Sequence, residues 1–175
     1  DHTTAKAVVE TDREVNRFGL YIVRLLKLAI SNPRIIKEVG LDNPKNCLGY
    51  RLIAKSVERT ADHATKIAEK VLLLKEPENE ELLERINKLS SLAISMFENS
   101  IEALVKSDYN LAESVIEKIS QIQKLEREAI ISSQDAKIEE IANTRLLIES
   151  VRRTAEYACD ISEVVLNLNI ESILS

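Results

Sequence analysis

Residues 51–74 return as residues 145–168, with thirteen of the twenty-four positions identical at an offset of 94. The best-kept part pairs SVERTADHATKIAE (56–69) with SVRRTAEYACDISE (150–163). In both copies the apolar and small residues fall at three- and four-residue steps. Ile53, Val57, Ala61, Ala64, Ala68 and Val71 make one stripe, and Ile141, Ile148, Val151, Ala155, Ile161 and Val165 the other. That period is helical, and it restricts the chain to a duplicated all-α arrangement in which each copy offers one face for packing.

A second match widens the repeat. AKAVVE (5–10) corresponds to AESVIE (112–117) at an offset of 107. The two offsets differ by thirteen, the length of NPRIIKEVGLDNP (32–44). The first copy therefore carries an insertion between its two helices, expected as a short helical turn, and the second joins them by a tight connection.

Five long helices are predicted. The first carries Val8, Val15, Phe18, Ile22, Leu25 and Ala29 and ends at Asn32-Pro33. Asn43-Pro44, a capping residue before a proline at the first helical position, opens the second. Pro77 opens the third, spanning about 78–106, with Leu82, Ile86, Leu89, Ala93, Phe97 and Leu104. Ser107-Asp108 opens the fourth, with Leu111, Val115, Ile119, Ile122 and Leu125, and the break at Ser132 to Asp135 opens the fifth. The third helix precedes the second copy, and nothing matches it before Asp1. The first bundle is thus expected to lack its N-terminal helix and to leave an apolar face that associates, either through a second copy or another partner chain.

Composition narrows the function. Three Gly and three Pro in 175 residues suit long regular elements, and with 3% aromatics the core must be aliphatic. A net charge of −5 is unsuited to nucleic-acid binding, which needs a basic stripe. No apolar run approaches the ~18 residues of a membrane span. Cys47 and Cys159 read as buried thiols of a reducing, cytoplasmic setting. No Ser/His/Asp or Cys/His set and no glycine-rich phosphate loop stands out, so catalysis is not expected.

Between the copies, Glu58 becomes Arg152 and Asp62 becomes Glu156. Glu58 and Asp62 lie four apart and share a helix face. The plainest reading is a solvated face, with Lys55 reaching Glu58, Asp62 pairing with Lys66, and the small residues present for close packing. A sharper reading adds Asp12 and Asn16, also four apart on the first helix. If those helices pack antiparallel, Asp12, Asn16, Glu58 and Asp62 converge. Two such charges ~4 Å apart repel by about 4 kcal/mol at an effective dielectric of about 20, so convergence demands a cation or a proton. Oxygen donors suit magnesium, calcium, manganese or iron. In the second copy the corresponding residues are Ile119, Gln123, Arg152 and Glu156, where Arg152 can neutralise Glu156. His63 adjoins Asp62 but points to another face, which suggests a surface or supporting role. Glu-x-x-His, the mark of carboxylate di-iron enzymes, is missing because Thr60 stands three before His63.

YRLIAKSVERTADHATKIAE (50–69) resembles the signature helix of the PhoU family of phosphate-uptake regulators. VVETDREVNRFGLYIVRLL (8–26) resembles its companion helix, and SDYNLAESVIEKISQIQKL (107–125) the same helix in a second repeat. NPRIIKEVGLDNPKNCLGYRL is similar to the archaeal branch, where an AbrB-like DNA-binding domain often lies upstream. The resemblance implies tandem three-helix bundles, here 1–76 (incomplete) and 77–175. It also implies an E(D)xxxD motif for metal clusters, with iron, zinc, manganese or magnesium as candidates. Glu58 and Asp62 match that motif, Asp12 matches the first acid of the companion helix, and Asn16 replaces the second. Ile119, Gln123 and Arg152 depart from it. The implied role is non-enzymatic regulation of phosphate uptake through contacts with a transporter ATPase subunit or a sensor kinase, without membrane insertion. An upstream segment, DNA-binding or not, is expected to be missing, and a homodimer is expected to form. Two other readings stand beside this one: a structural interaction module with neither metal nor phosphate role, and, more remotely, a carboxylate-bridged metal enzyme.

Overall fold

The computed structural model describes residues 2–41, 43–73, 79–134 and 138–173. They form seven helices: α1 (His2–Ser31), α2 (Pro33–Glu38), α3 (Asn46–Leu73), α4 (Glu80–Lys106), α5 (Tyr109–Glu117), α6 (Ile119–Ser132) and α7 (Ile138–Ile173). The described residues include no strand.

Two elements exceed the five expected from the periodicity. The insertion forms α2, whose N-cap Asn32 accepts the Arg34 amide at 3.0 Å while Pro33 occupies the first turn. The fourth helix is divided at Lys118, a correction to the single helix expected from Asp108 onward. There the Lys118 amide bonds to the Val115 carbonyl and the Gln121 amide to the Lys118 carbonyl, three residues apart instead of four. A locally tightened turn of this kind leaves no glycine or proline in the sequence to mark it. The apolar period runs through it because a one-residue tightening hardly rotates the stripe.

The Ser107-Asp108 junction forms as expected. Ser107 ends α4 in the left-handed region (φ 53°), the Asp108 amide bonds back to the Ala103 carbonyl, and the Asp108 side chain caps α5 through the Leu111 amide at 3.0 Å. The expected start at Pro77, the boundary between 76 and 77, and the break at Asp135 lie outside the described residues. Within them, α4 begins at Glu80 with Asn79 as its cap.

Helices α4, α5, α6 and α7 pack around one aliphatic core containing Leu89, Met96, Val115, Ile122, Ile148 and Ala155. Helix α3 joins that bundle through α7. Helix α1 packs on α3 and α2 alone among the described residues. Its turn end is sealed by a small cluster of Leu26, Ala29, Ile36, Leu41 and Cys47.

The duplicated helices are therefore buried unequally. Ala155, Ala158 and Ile161 on α7 are fully buried, while their equivalents Ala61, Ala64 and Ile67 on α3 are only half-buried. On α1, Phe18 and Ile22, read from the sequence as part of an interior stripe, are exposed at 58% and 40%. The physical reason is the count of layers. Helix α4 covers the small-residue face of α7, and among the described residues no helix does the same for α3.

Candidate functional site

Helices α1 and α3 run antiparallel because the insertion folds the chain back on itself. Glu58 faces α1 at Gly19, its Oε2 lying 3.9 Å from where a Cβ on Gly19 would stand. Its other oxygen accepts Lys55 Nζ at 2.8 Å, the intrahelical pair expected from the sequence. Asp12 accepts the Asn16 amide at 2.9 Å on Oδ2, while its Oδ1 is buried with no hydrogen-bond partner. Asp12 stands seven residues from Gly19, and Thr65 stands seven from Glu58 in the opposite chain direction. Each step covers about 10 Å of helix, so Asp12 and Thr65 share one level of the hairpin. Thr65 Oγ1 is also buried and unpartnered. Asp62 is half-buried, and the expected pair with Lys66 is not among the ion pairs of the described residues.

The four expected ligands thus divide into two intrahelical pairs on one hairpin, Asp12 with Asn16 and Glu58 one turn from Asp62. Among the described residues no three His, Cys, Asp or Glu side chains are gathered closely enough to hold a metal ion. What fits a hard cation is narrower: an orphaned carboxylate oxygen on Asp12 and an orphaned hydroxyl on Thr65 at one level, with the Glu58 oxygen turned onto Gly19 about 10 Å further along the seam. Sequence reasoning missed Thr65. Its position three residues after Asp62 was the available signal.

In the second repeat the same geometry is occupied differently. The offsets that carry Glu58 to Arg152 carry Gly19 to Glu126, and Arg152 Nε lies 2.9 Å from Glu126 Oε1. Arg152 also bonds Glu156, which takes Arg153 at 3.0 Å. The acid has moved across the seam and been neutralised there. Among the described residues of this half, Arg152 and Arg153 already pair with the seam acids Glu126 and Glu156.

His63 points to a face of α3 other than the α1 seam, as its place beside Asp62 suggested. It is half-buried between α3 and α7, its ring centroid 5.8 Å from that of Tyr157. Burial holds its pKa below the ordinary imidazole value, and the charges of Lys66 and Arg153 add to that, against Asp62 and Glu149. Its Nδ1 is buried without a partner. Both thiols are buried, and burial, with the nearby Glu163, Asp160 and Glu156 charges, pushes Cys159 up to about 11, which leaves it unreactive.

The helices of the described residues, built from a twofold repeat, with acids on one hairpin seam and a neutralised copy on the other, define a tandem helical-repeat protein of the PhoU type. The chain belongs to the PhoU domain family, whose model matches residues 1–71 and 86–165. It is 30% identical over 125 residues to the phosphate-specific transport system accessory protein PhoU homolog of Aquifex aeolicus (strain VF5), a match covering 69% of this chain and 56% of that protein. The chain thus spans a little over half the length of that relative. In fold it resembles the crystal structure of the phosphate transport system regulatory protein PhoU from Streptococcus pneumoniae. The TM-score is 0.81 at 22% identity, over 98% of this chain and 81% of that one. No helix among the described residues is long and apolar enough to cross a membrane.

Proposed function

We propose that this chain regulates phosphate uptake without catalysing a reaction, by docking its first repeat onto a cytoplasmic partner. That partner is the ATPase subunit of a phosphate transporter or its sensor kinase. The observation that carries this reading is the unequal burial of the repeat: the face that is closed on α7 is half open on α3, beside an α1 that exposes Phe18, Tyr21, Ile22 and Leu28. An apolar surface of this extent on a soluble helix pair is a protein-binding feature. A second copy of the chain is the competing occupant, giving a homodimer.

Within this reading Asp12, Asn16 and Asp62, with Thr65 beside them, hold one cation that joins α1 to α3, and Glu58, about two turns further along the seam, adds its negative charge to the field there. Iron, manganese, magnesium and zinc are the candidates, and the oxygen-only donor set favours the first three. A bound cation would supply charge neutralisation across the seam, which stiffens the docking face. The structural-module reading draws on the Lys55–Glu58 pair, which already satisfies one acid.

The test is capture of the ATPase subunit or kinase by the purified chain, with Phe18→Asp/Ile22→Asp as the docking variant and Glu58→Ala/Asp62→Ala as the site variant. Loss of capture by the first variant with retained helicity supports docking. No capture by the wild type leaves the structural module as the better account, and equal capture by wild type and both variants places docking on another face. Light scattering at tens of micromolar decides the homodimer, and a strict monomer removes it.

A further inference from the structure

Helices α3 and α7 are equivalent elements of the repeat, and their contacts exchange under the offset of 94. His63 meets Tyr157, its own equivalent. Arg59 lies over the Tyr157 ring at 5.9 Å, and the equivalent Arg153 acts on His63. Lys70 Nζ bonds Asn143 Oδ1 at 3.2 Å, and the equivalent pair is Val164 against Gly49. The helices are thus related by an approximate twofold axis beside His63 and Tyr157, with two equivalent ends.

The two ends differ in chemistry. At one, Gly49 lets α3 approach so closely that a Cβ there would stand 2.9 Å from Val164 and 3.3 Å from Leu168. That end is closed and apolar, and Asp160 lies beside it. At the other, Lys70 replaces Val164 and Lys66 replaces Asp160, and a groove of about 160 Å³ opens between His63, Lys66, Lys70, Leu146, Glu149 and Ser150. Packing requires neither the gap nor the amines, since the equivalent end does without both.

We infer that this groove is a binding site for a small oxyanion, with tetrahedral dianions such as inorganic phosphate or sulfate as its ligand class. Lys66 and Lys70 lie four apart on α3, about 6 Å between their Cβ atoms, so both amines reach one ligand. Neither has a carboxylate within ion-pair distance among the described residues, in a chain of net charge −5. Glu149 also lines the groove and opposes an anion there, since Arg153, 3.9 Å from it, is held more closely by Glu156 at 3.0 Å. Ser150 brings a hydroxyl to the lining, and the His63 ring forms one wall. The groove, about 160 Å³ and open to solvent on one side, admits a tetrahedral oxyanion. None of the groove-lining residues is one of the α1–α3 acids or of the exposed α1 apolar residues, although Lys66 lies one turn from Asp62, so phosphate binding and partner capture are read by different variants.

The experiment is a titration of the full chain with inorganic phosphate, followed by amide and imidazole NMR shifts. Saturable shifts confined to residues 63–70 and 143–153, with a Kd on the order of 1 mM, are expected. Lys66→Gln/Lys70→Gln should weaken binding by about tenfold or more. Glu149→Gln, which removes the one carboxylate lining the groove, should strengthen it about two- to fivefold, a gain that misfolding does not produce. Sulfate should compete and acetate should not. The inference is overturned if phosphate gives no saturable shift. It is equally overturned if Lys27→Gln/Lys124→Gln, placed elsewhere on the surface, weakens binding as much, or if acetate competes as well as sulfate.

Discussion

Arg152 on α7 and Glu126 on α6 face each other at 2.9 Å in the positions that Glu58 and Gly19 hold in the first repeat. The duplicated hairpin has exchanged an acid against a glycine for a base against an acid. The Arg152 and Glu126 side chains are only 20% and 21% exposed, so their desolvation is largely complete and the pair cannot be treated as a surface bridge. Arg152→Ala leaves Glu126 and Glu156 facing each other with one cation fewer. A loss of about 1–3 kcal/mol is expected, between the exposed and buried limits. Arg34→Ala, breaking a pair exposed at 86% and 60%, should cost about 0–0.5 kcal/mol. Urea unfolding of both variants checks the contrast, and equal losses would show that the buried pair is not stabilising.

The two interior helical glycines should respond oppositely to alanine. At Gly49 the new methyl meets Val164 and Leu168, and overpacking of about 1–3 kcal/mol outweighs a gain in helix propensity of about 1 kcal/mol. At Gly19 the nearest atom is the Glu58 oxygen at 3.9 Å, an ordinary contact, so Gly19→Ala should stabilise by about 0.5–1 kcal/mol. Thermal melts of the two variants moving in the same direction would contradict the close approach of α3 to α7.

The uneven closure of the repeats is open to a paired substitution. Ala158 is fully buried under the second bundle, and Ala158→Leu should cost about 1–3 kcal/mol. Its equivalent Ala64 is half-buried, and Ala64→Leu should fall within about 0.5 kcal/mol of wild type. Matching losses would mean that the α3 face is covered in solution. Light scattering of the same samples then tells whether a second copy covers it.

Asp160 supplies a pH dependence. Partial desolvation at the α3–α7 contact raises its pKa above 3.8, with Arg59 opposing the shift and Glu156 adding to it. A raised folded-state pKa means that the folded chain binds the proton more tightly than the unfolded chain. The associated stability is full below about pH 3.8 and is lost as pH rises through the raised value. Asp160→Asn removes that loss, so its stability relative to wild type should increase from pH 3 toward pH 7 and then level off. A difference that stays constant over that range would rule out the effect.

Much of the architecture was legible in the residues. The three- and four-residue spacing gave the helices, the two offsets located the insertion, and Ser107-Asp108 marked the junction that caps α4 and α5. The division at Lys118 was not legible, because a tightened turn changes hydrogen bonding without changing residue type. For the candidate site, the Asp12–Asn16 and Lys55–Glu58 pairs followed from spacing within one helix. The Gly19–Glu58 approach, the Glu126 partner of Arg152 and the orphaned Thr65 hydroxyl did not, since each depends on the register between two helices.

By itself, the sequence determined that this chain is a duplicated helical protein whose second copy keeps one acid of the set, Glu156, and places Arg152 beside it. Those facts reside in residue identity and in the period of a single helix, which local chemistry sets. Tertiary structure alone decided that α3 lies half open while α7 is closed, and that His63 meets its own equivalent across an axis with a charged groove at only one end. Burial and contact depend on which helix lies over which, and that choice follows from the packing of the whole bundle, to which no single segment holds the key.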